Sequence, residues 1–272
     1  MTETRKPITV PEILRLHATQ QKIVMVTAYD ATSAYLVDAA GVDVILVGDS
    51  VATVVQGHSN TLPASLTEMA YHVSLVARAK PKAMIVGDLP FGSYQTSPQQ
   101  AVDSAVALIK AGATAVKLEG GVHMADTIRA IANVDIPVMG HIGLTPQSYH
   151  RMGGHRVQGR AEGSEPGGRE RLLEDAHTVE QAGAFALVIE GVPSALATEI
   201  TDKVSIPTIG IGAGAGCSGQ VLVFHDYLGI TKREFKFAKK YANLHDTIVE
   251  ATAEFASDVR TGTWPDAAHS YE

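Results

Sequence analysis

The stretch VDVILVGDS, residues 42–50, shows the pattern from which the fold can be inferred. Residues 42–48 read as a strand buried on both faces, because from Val44 onward the apolar side chains follow one another without polar alternation. Asp49 and Ser50 come directly after this strand, with no polar transition. A carboxylate at the end of a buried strand needs a physical explanation, and the rest of the sequence supplies one.

Similar short apolar runs recur along the chain, and each ends in Gly, Asp, Glu or His. They cover residues 22–30, 83–91, 115–121, 136–144, 184–192, 206–214 and 221–228. Helical patterns with suitable caps separate most of them, at 31–40, 98–111, 170–182 and 194–203. Eight strands that alternate with helices predict an α/β protein with a closed (β/α)8 TIM barrel. An open doubly wound sheet is the alternative.

The prediction is a single domain over residues 1–272, with the barrel at about 22–230. Thr9 and Glu12 have the spacing of a capping box, which predicts a helix before the barrel. A C-terminal helix is predicted at about 235–258.

Three segments depart from the barrel pattern. The last two strands lie only about ten residues apart, so their connection has room for little more than one helical turn. Residues 145–169 form a long insertion rich in Gly, Arg and His, and loops of this length are usually lids or disordered. GIGAGA, residues 210–215, fits a dinucleotide-binding pattern only weakly, because no helix clearly follows it.

The amino-acid composition excludes several classes of protein. The 272 residues, 45% of them hydrophobic, suffice for one large core, and a formal net charge of −7 gives no general attraction to nucleic acid or anionic membranes. One cysteine excludes an intramolecular disulfide. Neither a signal peptide nor a membrane-spanning run is present, so we expect a soluble, cytoplasmic protein.

Four carboxylates stand at the carboxyl ends of different predicted strands: Asp49, Asp88, Glu119 and Glu190. In a (β/α)8 barrel these strand ends meet at the active-site face, so the fold would gather the four residues in one mouth. Crowded carboxylates repel one another and need a cation or a shared proton. Because all the donors are oxygens, the sequence favours Mg²⁺.

Lys117 adds a cation to this group. It lies two residues before Glu119, so the two side chains point to the same side of their strand, either into the mouth or outward as a private salt bridge. His141 and His225 also lie near strand ends, where a single histidine is usually a hydrogen-bonded structural residue. Neither is predicted to bind metal.

At this point the sequence resembles the ketopantoate hydroxymethyltransferase (3-methyl-2-oxobutanoate hydroxymethyltransferase) family. The resemblance runs from about residue 8 to the C-terminal region, with modest departures at 51–60 and 213–220. The motifs that carry it, in order, are VTAYD (26–30), DVILVGDS (43–50), DLPFGSY (88–94), VKLEGG (116–121), IPVMGHIGLTPQS (136–148), RVQGR (156–160), AFALVIEGVP (184–193), IPTIGIGAG (206–214) and GQVLVFHDYLG (219–229).

The resemblance implies transfer of a hydroxymethyl group from 5,10-methylenetetrahydrofolate to 3-methyl-2-oxobutanoate in pantothenate biosynthesis, through a Mg²⁺-stabilised enolate. The products are 2-dehydropantoate and tetrahydrofolate. It also implies a large homo-oligomer, commonly a decamer.

Residue roles follow from the same resemblance. Asp49 and Asp88 match the direct Mg²⁺ ligands, which also contact substrate, and Glu119 matches a further ligand acting through water. Ser50 and Lys117 match the groups that hold the oxygens of the keto acid. Glu190 matches the general base. In addition, Arg151, Arg156 and Arg160 of the 145–169 loop could meet the anionic tail of folate.

Two other functions remain open on the sequence alone. A Mg²⁺-dependent keto-acid aldolase or lyase without folate fits the carboxylate cluster equally well, and a folate requirement would separate it from the transferase. A non-catalytic binding or assembly barrel is the second alternative. The complete set of acidic residues and Lys117 argues against it.

Overall fold

Eight parallel strands pair in sequence order and close into a barrel in a computed structural model that describes residues 5–271. The barrel closes where β1 pairs with β8, with Ile23 opposite Gly219. This closure confirms the (β/α)8 barrel and excludes the open sheet. The strands are β1 Ile23–Thr27, β2 Val44–Val47, β3 Met84–Asp88, β4 Ala115–Lys117, β5 Val138–Gly143, β6 Ala186–Glu190, β7 Thr208–Ile211 and β8 Gly219–Leu222.

Helices connect most of the strands, as the capping signals predicted. Several have clear local causes. Asp30, Ser65 and Ser97 each precede a helix, and the side chain of each accepts a hydrogen bond from a backbone N–H group in the first turn of that helix. The helix after Ser97 begins with Pro98, a residue that suits the first helical position. The helices of this part of the chain are α1 Val10–Ala18, α2 Ala31–Ala39, α3 Val51–Val54, α4 Leu66–Arg78, α5 Pro98–Ala111, α6 Ala125–Ala132, α7 Tyr149–Met152, α8 Arg169–Gln181 and α9 Ser194–Lys203.

The predicted N-terminal helix is present, but the predicted capping box is wrong. Thr9 is the N-cap of α1, yet its side chain makes no capping hydrogen bond. Glu12 instead forms an ion pair with Arg15, with 2.7 Å between Oε1 and the guanidinium, so it does not reach back to the cap. Ile13 and Leu16 of α1 join the cluster that includes Ile23, the first residue of β1. The helix therefore packs at the amino-terminal end of the barrel.

Apolar side chains from the strands fill the barrel interior. They form one buried cluster whose strand members include Met25, Val44, Leu46, Met84, Val86, Ala115, Met139, Ala186, Val188, Ile209, Ile211 and Val221. With the interior filled and α1 at one end, the carboxyl ends of the strands form the face that remains for chemistry.

The last strand lies earlier in the sequence than predicted. β8 covers Gly219–Leu222, whereas half of the apolar run 221–228 belongs to a short helix, α10 Phe224–Tyr227. The connection between β7 and β8, for which the sequence left room for little more than one helical turn, consists of turns and bends over residues 212–218. The two strands pack tightly: a Cβ on Gly210 would lie 3.0 Å from Cys217 Sγ and from Gln220 Nε2. Only a short, small-residue connection fits this spacing.

The chain divides into two compact units, Met1–Val223 and Phe224–Glu272. The second contains α10 and α11 Leu244–Thr261. The predicted start of the C-terminal helix at 235 is wrong, because Phe235 and Phe237 stack on each other in a non-helical segment and the helix begins only after Asn243. That residues 1–272 form one domain stays a prediction.

Within residues 5–271, no helix combines the length and the apolar character that crossing a bilayer requires.

The β1–β8 pairing generates a prediction about stability. A Cβ on Gly219 would lie 2.8 Å from Ile23 Cβ and 2.8 Å from Ile209 Cδ1, with the Ile23 carbonyl closer still. We expect Gly219→Ala to lower the free energy of unfolding by about 3 kcal/mol in urea, because the backbone of the neighbouring strand cannot move away cheaply. Val24→Thr, an exposed position on β1, is the control and should change it by less than about 0.5 kcal/mol. Equal stability of Gly219→Ala and wild type would contradict this account.

Candidate active site

The barrel mouth collects the predicted acidic residues. Asp88 and Glu190 are the last residues of β3 and β6, Asp49 follows β2, and Glu119 follows β4. Asp49, Asp88 and Glu119 are buried, whereas 18% of the Glu190 side chain is exposed. The fold therefore brings four residues that are distant in sequence to one end of the barrel. Their individual roles stay predictions.

Asp88 and Lys117 form a buried ion pair. Lys117 lies opposite Asp88 in the register of β3 and β4, and 2.8 Å separates Nζ from Oδ1. The other carboxylate oxygen of Asp88 accepts the backbone N–H of Asp49 at 3.1 Å. The partner of Lys117 is thus Asp88 of the adjacent strand, and a private salt bridge to Glu119 is not what the structure shows.

His141 of β5 lies between two of the carboxylates. Its Nδ1 is 3.5 Å from Glu119 Oε1, and its Nε2 is 3.2 Å from Glu190 Oε2. Lys117 Nζ is also 3.5 Å from Nδ1, so Lys117 and Glu119 face the same side of their strand, into the mouth. His141 therefore lies within ion-pair distance of both Glu119 and Glu190, and its structural role stays a prediction.

Gln147 is a site residue that sequence reasoning missed. It is buried in the 3₁₀ turn Pro146–Ser148, just after β5. Its Nε2 donates to Asp49 Oδ2 at 3.1 Å, and its backbone N–H donates to Glu119 Oε2 at 2.9 Å. Uncharged glutamine in a loop has no periodicity or charge pattern that would single it out, although it lies in the stretch that carries the family resemblance.

Tyr94 was missed for the same reason. Its hydroxyl accepts the backbone N–H of Glu119 at 3.1 Å and lies 2.7 Å from Gln147 Oε1. Burial, together with the charge of Glu119, raises the pKa of Tyr94 well above its ordinary value, so the phenol stays protonated and can donate.

Ser50 is placed beside the acidic cluster as predicted. It is the N-cap residue of α3, immediately after Asp49, and its Oγ is 2.8 Å from the Tyr29 hydroxyl. The side chain is half-buried, so it can meet a small molecule in the mouth.

Comparison with known sequences decides the family. The family model for ketopantoate hydroxymethyltransferase matches residues 7–267. A 3-methyl-2-oxobutanoate hydroxymethyltransferase of Trichlorobacter lovleyi is 53% identical over 269 residues, covering 98% of this chain and 99% of the relative. One of Ignicoccus hospitalis is 53% identical over 260 residues, covering 96% and 97%.

This chain belongs to the ketopantoate hydroxymethyltransferase family. It is accordingly an enzyme, a hydroxymethyltransferase, and the alternative of a non-catalytic binding or assembly barrel is excluded.

Solved structures agree on the fold. A phosphonopyruvate hydrolase, in complex with oxalate and Mg²⁺, superposes with a TM-score of 0.62 at 13% identity, covering 96% of this chain and 93% of the other. A 2,3-dimethylmalate lyase superposes with a TM-score of 0.61 at 16% identity, covering 94% and 90%.

The charges in the mouth of this hydroxymethyltransferase are unbalanced. Burial and the neighbouring carboxylates raise the pKa of Asp49 well above its ordinary value, and burial raises that of Asp88 although Lys117 opposes the rise. Burial and the charge of Lys117 oppose protonation of His141, but its close contacts with the Glu119 and Glu190 carboxylates prevail and raise its pKa to about 9. The cluster therefore has more negative than positive groups to accommodate.

A hard divalent cation fits this excess of carboxylate. The donors are oxygens, and Glu119 Oε1 is buried without a hydrogen bond of good geometry. Among residues 5–271, no three acidic, histidine or cysteine side chains converge closely enough to hold an ion by themselves. Mg²⁺ commonly binds one or two carboxylates and keeps several waters or substrate oxygens, so a pair of these carboxylates could hold it. That Asp49 and Asp88 bind it directly and Glu119 through water stays a prediction from the family resemblance.

The 145–169 loop begins at the site and returns to its edge near its middle. Gln147 lies in the mouth, and the backbone N–H of Gln158 donates to the carbonyl of Gly191, the residue after Glu190. Arg151 lines a cavity together with Gly120 and Thr145, whereas Arg156 and Arg160 do not line it. Within the described part of the chain, none of these three arginines forms an ion pair with an acidic side chain.

The buried ion pair leads to a prediction for the metal-free protein. We expect Lys117→Met to lower the free energy of unfolding by about 3–5 kcal/mol at pH 7 in EDTA, because it leaves Asp88 charged and unpaired. The folded-state pKa of Asp88 is already raised, so the folded state takes up protons before the unfolded state does and the loss should shrink as pH falls. Urea titrations at pH 7 and pH 5 measure this. The double variant Lys117→Met/Asp88→Asn should recover much of the loss, and a loss that grows on acidification would refute the argument.

Proposed function

We propose that this enzyme transfers a hydroxymethyl group from 5,10-methylenetetrahydrofolate to 3-methyl-2-oxobutanoate, giving 2-dehydropantoate and tetrahydrofolate, with Mg²⁺ as cofactor. The proposal rests on the arrangement of charged side chains in the barrel mouth. Three buried carboxylates lie there with Lys117, and a fourth, Glu190, is held at their edge with part of its side chain exposed. A keto acid bound among them would have a cation site on one side and a carboxylate base on the other.

The keto acid is an anion with a carboxylate and a keto oxygen. When bound at Asp49 and Asp88, Mg²⁺ supplies Lewis-acid polarisation of that keto oxygen. The ammonium of Lys117 is fixed by Asp88 and can donate to a substrate oxygen, and the hydroxyl of Ser50 can do the same. These contacts orient the substrate and offset its charge against the carboxylates.

Glu190 is the general base in this proposal. It removes the proton from C3 of the keto acid, and the electron pair moves toward the keto oxygen to give an enolate. His141 holds Oε2 of Glu190, which fixes the side chain and leaves Oε1 for the proton. The partly exposed Glu190 can reach a substrate, whereas the hydrogen bonds and ion pairs of the three buried carboxylates hold them in place.

The second half of the reaction forms a carbon–carbon bond. The bonds from the one-carbon unit to the two folate nitrogens break, one water supplies the hydroxyl oxygen, and the enolate C3 forms the new bond to that carbon. The two folate nitrogens gain two protons, one from the water and the one that Glu190 removed from C3, which returns Glu190 to its ionised form. The loop 145–169 serves as a lid that keeps other water from the enolate. Arg151 lines the cavity beside Gly120 and is the best-placed arginine of the loop for the anionic tail of the folate.

The same proposal includes the remaining expectations from the sequence. We infer a cytoplasmic homo-oligomer that acts on small molecules and binds neither nucleic acid nor membrane. The net charge of −7 supports the absence of nucleic-acid binding.

Proton abstraction by Glu190 can be tested without the folate. We expect wild-type protein with Mg²⁺ to exchange the C3 proton of 3-methyl-2-oxobutanoate for deuterium in D₂O, measured by proton NMR. Glu190→Gln should slow this exchange by about 10²–10⁴-fold, because a positioned base is lost. Glu250→Gln, an exposed position on α11, is the matched control and should exchange at the wild-type rate. Adding 5,10-methylenetetrahydrofolate should then yield hydroxymethylated product. Undiminished exchange in Glu190→Gln would remove Glu190 from the mechanism, and exchange without product would favour a folate-free enzyme.

The role of the loop arginines needs a separate experiment. We expect Arg151/Arg156/Arg160→Ala to raise the KM for the folate about tenfold or more while the KM for the keto acid stays unchanged, because only the folate carries the distant anionic tail. Arg151→Ala alone should account for most of the effect, since Arg151 lines the cavity and Arg156 and Arg160 do not.

The control for these arginines removes three positive charges elsewhere. Lys80, Lys82 and Lys110 are exposed residues in or next to the segments that enter β3 and β4, at the opposite end of the barrel. Lys80/Lys82/Lys110→Ala should therefore leave both KM values unchanged. An unchanged folate KM in the arginine variants would reject the contact.

A further inference from the structure

The side chain of Gln147 uses its whole hydrogen-bonding capacity inside the site. Its Nε2 donates to Asp49 Oδ2 at 3.1 Å and to the carbonyl of Leu89 at 3.0 Å. Its Oε1 accepts from the Tyr94 hydroxyl at 2.7 Å and from Gln95 Nε2 at 3.1 Å. A primary amide has two N–H donors and two acceptor lone pairs, so all four are used.

These partners fix which way the amide points. A backbone carbonyl cannot donate, so the Leu89 oxygen requires the NH₂ group on its side. On the other side the Tyr94 hydroxyl accepts the Glu119 N–H, and its single hydrogen has two acceptors in reach: Gln147 Oε1 at 2.7 Å and the Glu119 carbonyl at 3.2 Å. Gln147 Oε1 is the nearer of the two. A flipped amide would set its oxygen against the Asp49 carboxylate and the Leu89 carbonyl and would leave buried groups unsatisfied, which is costly. The NH₂ group therefore faces Asp49.

The same residue also holds Glu119. Its backbone N–H donates to Glu119 Oε2 at 2.9 Å, while its side chain donates to Asp49. Asp49 and Glu119 lie after different strands, β2 and β4, and Gln147 lies after a third, β5. The residue spans the mouth. Since Gln147 belongs to the first turn of the 145–169 loop, it also joins that loop to the carboxylates.

We propose that Gln147 is a positioning residue that sets the orientation of the Asp49 carboxylate, and with it the divalent-cation site, through its side-chain amide. The inference rests on the proposed function, because it assigns Gln147 a task at the proposed cation site. Groups that orient a metal's ligands from behind typically alter metal affinity about 10- to 100-fold when they are removed.

Manganese binding is the test, since Mn²⁺ accepts the same oxygen ligands as Mg²⁺ and its free form is counted by electron paramagnetic resonance. We expect Gln147→Met to raise the Kd for Mn²⁺ about 10- to 100-fold in the absence of any substrate. Methionine nearly matches glutamine in volume, and the backbone N–H to Glu119 remains in the variant. A residue that only fills space would therefore leave the Kd unchanged.

A second variant guards against misfolding of the first. Tyr94→Phe keeps the ring and removes the hydroxyl that orients the Gln147 amide. It should raise the Kd for Mn²⁺ by a smaller factor, and in Tyr94→Phe/Gln147→Met the two effects should combine to less than their product. Gln100→Met is the matched control, because among the described residues the side chain of Gln100 bonds only to Thr96 and Gly92. This variant should bind Mn²⁺ as wild type does.

The outcomes separate this inference from the proposed function. Wild-type binding with an unchanged Kd in folded Gln147→Met, or in Tyr94→Phe, overturns the role of Gln147 and leaves the cation site standing. Absence of Mn²⁺ binding in the wild type overturns the cation site itself, and the role of Gln147 with it. A raised Kd in both variants with a wild-type Kd in Gln100→Met supports the inference.

Discussion

The ion pair between Lys117 and Asp88 determines how much of the negative charge in the barrel mouth the protein itself can compensate. Both side chains are almost fully buried, at 4% and 1% exposure, so each ion has lost its water and needs protein partners. One lysine cannot compensate Asp49, Asp88 and Glu119 together. Each of the three carboxylates also accepts a hydrogen bond from an N–H group. Asp88 and Glu119 each accept a backbone N–H, and Asp49 accepts the side-chain amide of Gln147. The remaining negative charge is what a divalent cation would balance.

The sequence predicted the barrel and the acidic residues because both depend on local, periodic information. Buried parallel strands read as short apolar runs, and the carboxyl end of each run locates its residues at one face of the fold. Asp88 and Glu190 are the terminal residues of β3 and β6, so no knowledge of loop structure was needed to place them. Lys117 was determined only in part: its two-residue spacing put it on the same side of the strand as Glu119, but the strand register in the structure was needed to show that it lies opposite Asp88.

What the sequence could not supply depends on long-range contacts. Gln147 and Tyr94 lie in irregular segments, and their contacts with residues after β2 and β4 exist only once the barrel has closed. The predicted capping box at Thr9 was wrong for a related reason. Glu12 could pair with the helix N-terminus or with a basic residue, and in the structure it pairs with Arg15, three residues later. The β8 boundary was wrong because an apolar run of this length fits a strand or a short helix equally well until Gly219 is seen to pair with Ile23.

Burial separates the tasks of the four carboxylates. Three are held on several sides and can serve as fixed ligands, whereas Glu190 is partly open and has its Oε2 against His141. The same ring contacts Glu119 through its other nitrogen. A carboxylate that faces the proposed cation and the carboxylate that would take the proton are therefore joined by one imidazole. Because a rigid ring has two fixed nitrogen directions, Glu119 and Glu190 cannot be oriented independently, and the geometry of the proposed base depends on the geometry of the proposed metal site.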